Sequence, residues 1–442
     1  MPIDSTHSRL SSFGALYLHL PFCVRRCRYC DFATAATRHD DPLVAVYADA
    51  LETLVRRVGS TGLLRGVRTA YVGGGTPTMA GEKLAGLVAC VRGVCPDLAE
   101  FSSEANPESL TPTLATLLAQ AGITRISLGV QSTDDAELVR LGRAHDRAGA
   151  LAAARGVHEA GLDLSCDLMA GIPLQTPASW ERSLGDVLEA GATHVSCYPL
   201  MVEDGTPLAA AVEAGKEREP DDDLQADLML AAARVLGNAG LTRYEVASYA
   251  APGKACAHNI AYWTGVPYLG LGSSAASMMG PEGLLALVEA LPLAVVDAGE
   301  SVGLPATAGV GAGDGRQETP AVYLARHPEA ARIRLRMLDD ARNLVYKVGA
   351  REPLACEIES LTAREAAAED LMLAMRMSAG APSALLERAV GEGGIPRLTL
   401  ERACADVVGR GLAAWTAEGA LTPTERGWLL GNELYGAMWD LA

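Results

Sequence analysis

The chain has 442 residues, of which 49% are hydrophobic and 21% are charged, so the composition supports a large core and excludes extensive disorder. Asp and Glu number 54 against 37 Lys and Arg, which gives a net charge of -17. This negative charge opposes binding to the phosphates of nucleic acid and to anionic lipid. The composition therefore predicts a globular protein with no nucleic-acid partner.

Neither export nor a membrane span is predicted. The N-terminal segment MPIDSTHSRLSSFG lacks the apolar stretch of a secretory signal. The one long uncharged stretch, Asn259 to Pro281, is interrupted by glycines and prolines, which suit turns and strands better than a spanning helix. We therefore expect a cytoplasmic protein whose ten cysteines are reduced thiols or metal ligands.

Short apolar segments alternate with longer helical patterns in the first half of the chain. One helix has recognisable ends, because Thr111 and Pro112 suit a helix start and Gly122 suits a left-handed cap. Six such repeats predict an α/β fold with a parallel sheet, arranged as a partial (β/α)6 TIM-like barrel. The predicted strands are Tyr17 to Leu20, Thr69 to Val72, Glu100 to Ala105, Arg125 to Val130, Asp163 to Leu168 and His194 to Leu200.

The rest of the chain predicts additional segments around this barrel. Thr242 to Tyr249 is predicted to be a seventh extended segment, and the Ala- and Gly-rich residues after it to be a surface insertion. Thr362 and Glu365 have capping-box spacing at the start of a helical, winged-helix-like C-terminal domain. The predicted divisions are an N-terminal arm at 1–16, the barrel and its extension at 17–280, an insertion or linker at 281–320 and the C-terminal domain at 321–442.

Three cysteines cluster directly after the first predicted strand. Cys23, Cys27 and Cys30 lie in LHLPFCVRRCRYCDF, at the edge of the barrel where catalytic sites are found. A structural zinc site is one interpretation, but such sites usually have four protein ligands and no second CxxC completes one here. Three thiolates on an iron-sulfur cubane would leave one iron open to a small molecule. We expect the other cysteines to be small packed residues.

The C-x3-C-x2-C spacing, with Tyr29 before the last cysteine, resembles the signature of the radical S-adenosylmethionine (SAM) family. The longer string YLHLPFCVRRCRYCDF is similar to the branch that holds the oxygen-independent coproporphyrinogen III dehydrogenases (HemN) and the haem chaperones (HemW), with more likeness to the chaperones. The resemblance implies a radical SAM barrel with a 4Fe-4S cluster on Cys23, Cys27 and Cys30, whose open iron binds SAM. One electron from the cluster then cleaves SAM to methionine and a 5'-deoxyadenosyl radical.

Other motifs at the predicted strand ends match this family. The glycines of Gly73 to Thr78 allow close approach of a ligand to the backbone, although a tight turn is an alternative explanation. Glu104 lies at the end of the third predicted strand, whereas Arg143 and Asp167 in later units could equally form a structural ion pair. The resemblance implies that the following residues contact SAM: Tyr17, Tyr29, Gly74, Gly75, Thr76, Glu104, Gln131, Arg143 and Asp167.

A second motif concerns haem. HNIAYW begins at His258 and matches the HNxxYW motif associated with haem binding in HemW-type proteins. The resemblance implies haem as a further ligand, contacted through the imidazole of His258. The alternative is that Tyr262 and Trp263 are core aromatics and that His258 bonds the backbone. His145 and His194 match no motif, and we expect structural roles for both.

The resemblance leaves two functions to be compared. Dehydrogenases of this branch carry a further cysteine two residues past the last cluster ligand and a longer N-terminal arm, whereas this chain has Phe32 there and only about sixteen residues before the first strand. These features favour a haem chaperone that transfers haem to haemoproteins. The alternative is oxidative decarboxylation of coproporphyrinogen III to protoporphyrinogen IX. The implied partners are haem or porphyrin, a haemoprotein acceptor, an electron donor such as flavodoxin or ferredoxin, and the membrane periphery.

Overall fold

The computed structural model describes residues 12–38, 40–296 and 317–442. The described strands are β1 Ala15–Leu20, β2 Phe22–Cys23, β3 Ala35–Ala36, β4 Thr69–Gly74, β5 Glu100–Ala105, β6 Arg125–Gln131, β7 Asp163–Ala170, β8 His194–Pro199, β9 Thr242–Arg243, β10 Ser248–Ala250, β11 Tyr268–Leu271, β12 Ala276–Met279, β13 Leu293–Val296, β14 Gln317–Glu318, β15 Arg332–Met337, β16 Leu354–Leu361, β17 Ala413–Trp415 and β18 Leu421–Pro423.

The described α-helices alternate with the strands in the first half of the chain and predominate near its C-terminus. They are α1 Pro42–Ser60, α2 Glu82–Val94, α3 Pro112–Ala121, α4 Asp135–Leu141, α5 Arg147–Glu159, α6 Pro177–Glu189, α7 Pro207–Glu213, α8 Asp222–Asn238, α9 Ala257–Trp263, α10 Pro281–Ala290, α11 Pro320–Arg326, α12 Ala341–Ala350, α13 Ala363–Ala374, α14 Ser383–Gly391, α15 Arg397–Gly409, α16 Glu425–Leu429 and α17 Gly431–Trp439.

The six predicted strands form the parallel centre of the main sheet. β1, β4, β5, β6, β7 and β8 pair in that order, and each is parallel to the next. Every residue of β6 is buried, as expected for a central parallel strand covered on both faces. The α/β prediction is confirmed, and each predicted strand lies within about two residues of its expected bounds.

Local signals set several helix ends where they were predicted. The hydroxyl of Thr111 accepts the backbone N–H of Leu114 at the start of α3, and Gly122 ends that helix with φ of +115°. At the start of α13, Thr362 and Glu365 form the reciprocal bonds of a capping box. These short-range contacts explain why the helices between the strands could be delimited from the sequence.

The sheet continues on both sides of this parallel centre. β11 lies parallel to β1, and β12, β15, β16, β13 and β14 follow it towards one edge. At the other edge, the predicted seventh segment forms two short strands, β9 and β10, of which β10 is antiparallel to β8. The sheet thus contains strands from the predicted barrel, from the predicted insertion and from the predicted C-terminal domain, so it crosses the predicted boundaries at 280 and 320.

The surface-insertion interpretation is wrong for residues 281–296. α10 buries Leu284 and Leu287 against the main core, and β13 pairs in parallel with β16. The composition was misleading because Leu and Val side chains in this segment supply a buried face despite the many small residues between them. The predicted insertion also includes residues 297–316, which lie outside the described part of the chain.

Two large hydrophobic clusters and one small one stabilise the described chain. The larger cluster includes the parallel strands and their helices, and the second lies among the C-terminal helices and the β17–β18 hairpin, from Ala368 to Leu441. This helix-and-hairpin arrangement has the form expected from the C-terminal sequence. Within the described ranges, no helix combines the length and apolar character needed to cross a membrane.

Candidate functional site

One cavity of about 550 Å³ is lined by side chains from all six parallel strands. Arg125 and Gln131, the first and last residues of β6, both line it, so it extends along the strands. At about 3.3 Å per residue this corresponds to a depth of roughly 20 Å. The sheet must curve around this space to enclose it, as a partial barrel does. We call the end where the strands finish the upper end, and the end where they begin the lower end.

The three clustered cysteines lie at the upper end, on the segment after β1, where Cys23 ends β2 and Cys27 and Cys30 lie on the loop that follows it. Cys23, Cys27 and Cys30 are half-buried and line the cavity. Burial raises the pKa of the Cys23 and Cys30 thiols, and the hydroxyl of Thr76, which donates to Cys23 Sγ at 3.5 Å, acts in the opposite direction at Cys23. The seven remaining cysteines are buried, as expected for packed residues.

The glycine motif packs directly against the base of this cysteine loop. The backbone N–H of Gly75 donates to the carbonyl of Leu20 at 2.8 Å, and a Cβ at Gly75 would lie 2.6 Å from the carbonyl oxygen of Phe22. Gly74 has φ of +111°, and its N–H donates to Glu104 Oε2 at 2.9 Å. Only glycine permits this approach of two backbones. The motif therefore fixes both the cysteine loop and the Glu104 carboxylate.

Arg143 connects the cysteine loop to the strand ends. Its Nη1 donates to Cys27 Sγ at 3.3 Å, and its Nη2 donates to Asn106 Oδ1 at 2.6 Å and to the Gly129 carbonyl at 2.7 Å. Asn106 in turn donates to the Thr76 hydroxyl at 2.8 Å. Thr76 is buried and does not line the cavity itself. It contacts two residues that do, Cys23 and Asn106. The sequence prediction omitted Asn106, although it follows Glu104 at the same strand end.

Two acidic side chains face the cavity with raised pKa values. Burial raises the pKa of Glu104 to about 7, against the opposing effect of the Gly74 N–H. Burial also raises the pKa of Asp167 to about 6, against hydrogen bonds from Ser196 and Ser127. Ser127 donates to Asp167 at 3.2 Å, so Asp167 and Arg143 have separate partners and do not form the ion pair considered above. At neutral pH both carboxyls are close to their titration range.

Three polar groups at the upper end, on Thr34, Gln131 and Arg143, are buried without a partner within the described residues. Gln131 has φ of +65°, unusual for a residue with a side chain, and its Oε1 is buried without a hydrogen bond within the described residues. Nε of Arg143 is likewise buried and unpartnered. Burying such atoms without a partner costs free energy, so they mark where a ligand would supply one.

His258 occupies the lower end of the cavity. It is 1% exposed, and its Nδ1 lies 3.1 Å from the hydroxyl of Thr69, the first residue of β4. The ring stacks on Tyr71, with the two ring centroids 5.2 Å apart. It also packs edge-to-face with Tyr262, with centroids 4.7 Å apart. Burial lowers its pKa to about 3, and its Nε2 has no partner within the described residues. The ring thus bonds a threonine side chain rather than the backbone, Tyr262 and Trp263 are only half-buried, and haem ligation by His258 stays a prediction.

His194 and His145, which match no motif, have the structural roles expected of them. His194 lies 2.7 Å from Ser165 Oγ through Nδ1 and 2.9 Å from the Tyr244 hydroxyl through Nε2. His145 Nε2 lies 3.1 Å from the Val130 carbonyl, and its Nδ1 lies 3.3 Å from Glu108 Oε2. Both ring nitrogens of each histidine are therefore satisfied within the protein.

Tyr17 and Tyr29 line the cavity together with residues that the sequence did not indicate. Arg125, 3% exposed, donates to the Lys254 carbonyl at 2.8 Å and has unpartnered Nε and Nη1 atoms. It starts a strand, whereas the prediction sought polar residues where strands end. Tyr71, in the middle of β4, was hidden within an apolar segment. Motif matching thus found His258 at the lower end of the cavity but not Arg125 or Tyr71.

Gly75→Ala tests the contact between the glycine motif and the cysteine loop. We expect at least about a threefold loss of reconstituted iron and of the spectral response to SAM, because the added Cβ would displace Phe22 and with it Cys23. Iron analysis and anaerobic absorption spectroscopy measure both effects. Gly93→Ala in α2 is the matched control, since its Cβ would meet nothing within 4 Å. Equal iron and SAM responses in the two variants would contradict this assignment.

Comparison with known proteins agrees with the architecture of the site. Residues 17–187 match the family model described as the Radical SAM superfamily. The solved structure titled "Coproporphyrinogen III oxidase (HemN) from Escherichia coli is a Radical SAM enzyme" superposes with a TM-score of 0.72 over 98% of this chain and 91% of that chain, at 20% identity. At this identity the likeness shows the fold, and it confirms the radical SAM barrel and the accompanying C-terminal domain.

Curated relatives give a closer comparison. This chain is 40% identical over 279 residues to the Mycobacterium tuberculosis (strain ATCC 25618 / H37Rv) protein named "Heme chaperone HemW", covering 61% of this chain and 70% of the relative. It is 36% identical over 272 residues to the Escherichia coli (strain K12) protein of the same name, covering 59% and 69%. Such identity over more than two thirds of both relatives shows common family membership, and this chain belongs to the HemW family of radical SAM proteins.

Proposed function

We propose that this chain binds haem and transfers it to haemoproteins, with a 4Fe-4S cluster and SAM as its cofactors. The observation that carries the proposal is the 40% identity to a protein named heme chaperone over 70% of that protein's length. The cavity supports it, because its upper end combines three thiols with unpartnered polar groups. A haemoprotein acceptor, an electron donor such as flavodoxin or ferredoxin, contact with the membrane periphery, and a reducing cytoplasmic location complete the proposal.

The residues at the upper end fit the cofactors of the radical SAM family. Cys23, Cys27 and Cys30 would hold the cluster, because thiolate is the ligand that iron-sulfur clusters require and three thiolates leave one iron open. When bound, the cluster supplies an electron for the reductive cleavage of SAM. Gly74 and Gly75 line the cavity beside these thiols, and their lack of side chains lets the motif pack against His19 and the Phe22 backbone.

The surrounding polar groups would orient SAM and exclude water. Glu104 in its ionised form would pair with a cationic group, and Gln131 Oε1 and Arg143 Nε would gain the partners they lack within the described protein. Tyr29 packs against the small apolar cluster that contains Met169 and covers one side of the upper end. Burial of Tyr29 raises the pKa of its phenol, which keeps it neutral there.

Phe32 helps to distinguish haem transfer from the alternative function, coproporphyrinogen oxidation. It occupies the position two residues past Cys30, where the dehydrogenase branch carries a further cysteine, and its side chain is 61% exposed at the cavity. The fold likeness to the coproporphyrinogen oxidase is at 20% identity and does not favour that reaction over haem transfer. The chaperone proposal therefore predicts haem binding without turnover of the porphyrinogen.

We test the proposal with the anaerobically reconstituted chain. Haem is expected to bind with a shift of its Soret band and to pass to an apo-haemoprotein, whereas coproporphyrinogen III with SAM and a reductant is expected to give no protoporphyrinogen IX. The reason is positional, since hydrogen abstraction requires a substrate held close to the reacting carbon. Absorption spectroscopy and chromatography of the porphyrins measure both outcomes. Catalytic formation of protoporphyrinogen IX by a chain that binds no haem would reverse the assignment.

A further inference from the structure

His258 is poorly placed to ligate haem iron. Its ring is 1% exposed and is packed between Tyr71 and Tyr262, so iron could reach Nε2 only through the cavity. It lies at the lower end beside Thr69 and Arg125, where β4 and β6 begin. A ligand on His258 would therefore lie beneath the upper end that fits SAM and the cluster.

The volume of the cavity adds a second restriction. Pockets for one drug-sized ligand usually measure about 300–1,000 Å³, and this cavity measures about 550 Å³. It has room for one nucleoside cofactor but not for an additional tetrapyrrole at full depth. If SAM and haem bind together, haem must lie at the entrance of the cavity.

The entrance has an apolar lining that the cofactor sites do not use. Phe32 and Met201 are each 61% exposed, and Tyr198 is 40% exposed, although all three line the cavity. Phe32 lies on the cysteine loop, Tyr198 is near the end of β8 and Met201 follows it, so all three are at the upper end of the barrel. Large exposed apolar side chains grouped at a concave site indicate a binding surface for an apolar ligand. We call Arg25, Arg26, Phe32, Tyr198 and Met201 the mouth.

The charged residues of the mouth complement the propionates of haem. Arg25 is exposed and makes no hydrogen bond or ion pair within the described residues, while Arg26 uses only its Nε, to the Cys30 carbonyl at 3.2 Å. Guanidinium groups are well suited to bind carboxylates. Asp31 and Glu203 also line the cavity, so attraction would come from direct bonds with the arginines rather than from a net positive field.

We propose that haem binds at the mouth, with its macrocycle against Phe32 and Met201 and its propionates on Arg25 and Arg26, and that His258 is not its ligand. This inference rests on the proposed haem-chaperone function and assigns the surface that performs it. The mouth leaves the ligand partly exposed, as transfer to an acceptor requires. The apolar contacts hold the macrocycle, and the arginines fix its orientation.

Haem titration of the anaerobically reconstituted chain with SAM present tests this site. We expect the Kd for haem to rise at least about tenfold in Phe32→Ser combined with Met201→Ser, because two large apolar contacts are lost. Arg25→Glu combined with Arg26→Glu should weaken haem binding several-fold but should leave the binding of haem dimethyl ester, which lacks the propionate charges, within about twofold of wild type. Leu398→Ser and Arg342→Glu, at exposed positions on α15 and α12, are the matched controls.

The outcomes separate this inference from the proposed function. A wild-type chain that gives no Soret shift would refute haem binding itself. A wild-type chain that binds haem, with mouth variants that bind equally well and a folded His258→Gln variant that does not, would overturn the mouth assignment and leave the chaperone proposal intact. Normal Soret position and affinity in His258→Gln, together with weakened mouth variants, are the expected result. Iron content and circular dichroism of each variant show whether the cluster and fold are retained.

Discussion

Replacing Cys23, Cys27 and Cys30 together with alanine is expected to reduce bound iron from about four atoms per chain to none. The loss should leave the fold intact, because none of the three belongs to a described hydrophobic cluster and the loop that carries them follows β1 rather than supporting it. We expect the free energy of unfolding of the cluster-free protein to change by about 1 kcal/mol or less. Iron and sulfide analysis after anaerobic reconstitution, with far-UV circular dichroism, measures both quantities.

Cys90→Ala is the matched control for this loss of thiols. Cys90 is buried beside α1, and its Sγ donates to the Glu52 carbonyl at 3.8 Å, far from the cavity lining. Its replacement should retain full iron and lower the free energy of unfolding by about 1 kcal/mol through lost packing. Full iron retention by the triple cysteine variant would refute the cluster assignment, whatever the result for Cys90.

The sequence predicted the upper end of the site because its determinants are local. The residues of the upper end lie in the last part of the parallel strands or soon after them, and parallel strands bring their carboxyl ends to one edge. The cysteine loop, Glu104 and Gln131 could therefore be placed together without any knowledge of their distances. Thr76 shows the limit of this reasoning, because its side chain bonds Cys23 and Asn106 and does not line the cavity.

The lower end could not be predicted because it depends on contacts between distant segments. Glu100 accepts the backbone N–H groups of Ala257 and His258 at 3.0 Å, across more than 150 residues of sequence. Arg125 binds the Lys254 carbonyl in the same region. The pairing of β13 with β16 is also non-local, which explains why residues 281–296 were taken for an insertion. The hydrophobic periodicity within a segment does not indicate which distant segment it will contact.

The HNxxYW motif shows how one sequence pattern can serve two structural roles. An imidazole and two aromatic rings would suit a haem pocket, but they also suit a packing interface between secondary-structure elements. Trp263 donates through Nε1 to Glu245 at 3.2 Å, and the guanidinium of Arg376 from the C-terminal region lies 5.2 Å from its ring centroid. These contacts give Trp263 a role in attaching α9 to the C-terminal helices, independent of any haem.

The carboxyls of Glu104 and Asp167 should make the stability of the ligand-free protein depend on pH. A carboxyl whose pKa is raised on folding binds more protons in the folded state, so stability falls as pH rises from the unfolded pKa to the folded one. For Glu104 this window extends from about 4.5 to about 7, and for Asp167 from about 3.8 to about 6. Since Glu104 is only half-buried at the cavity wall, its contribution should be about 1–3 kcal/mol.

Glu104→Gln is therefore expected to have opposite effects on stability and on binding. Its amide oxygen can still accept the Gly74 N–H, so at pH 8 the ligand-free variant should be about 1–3 kcal/mol more stable than wild type, and near pH 4.5 the difference should vanish. SAM should bind at least about tenfold more weakly, because the amide has no charge to pair with an ammonium group. Urea denaturation across pH and anaerobic SAM titration measure the two effects. Glu418→Gln, at an exposed hairpin tip, is the control and should change neither the stability nor the affinity for SAM. A Glu104→Gln variant that binds SAM as well as wild type would show that the charge of Glu104 does not pair with SAM.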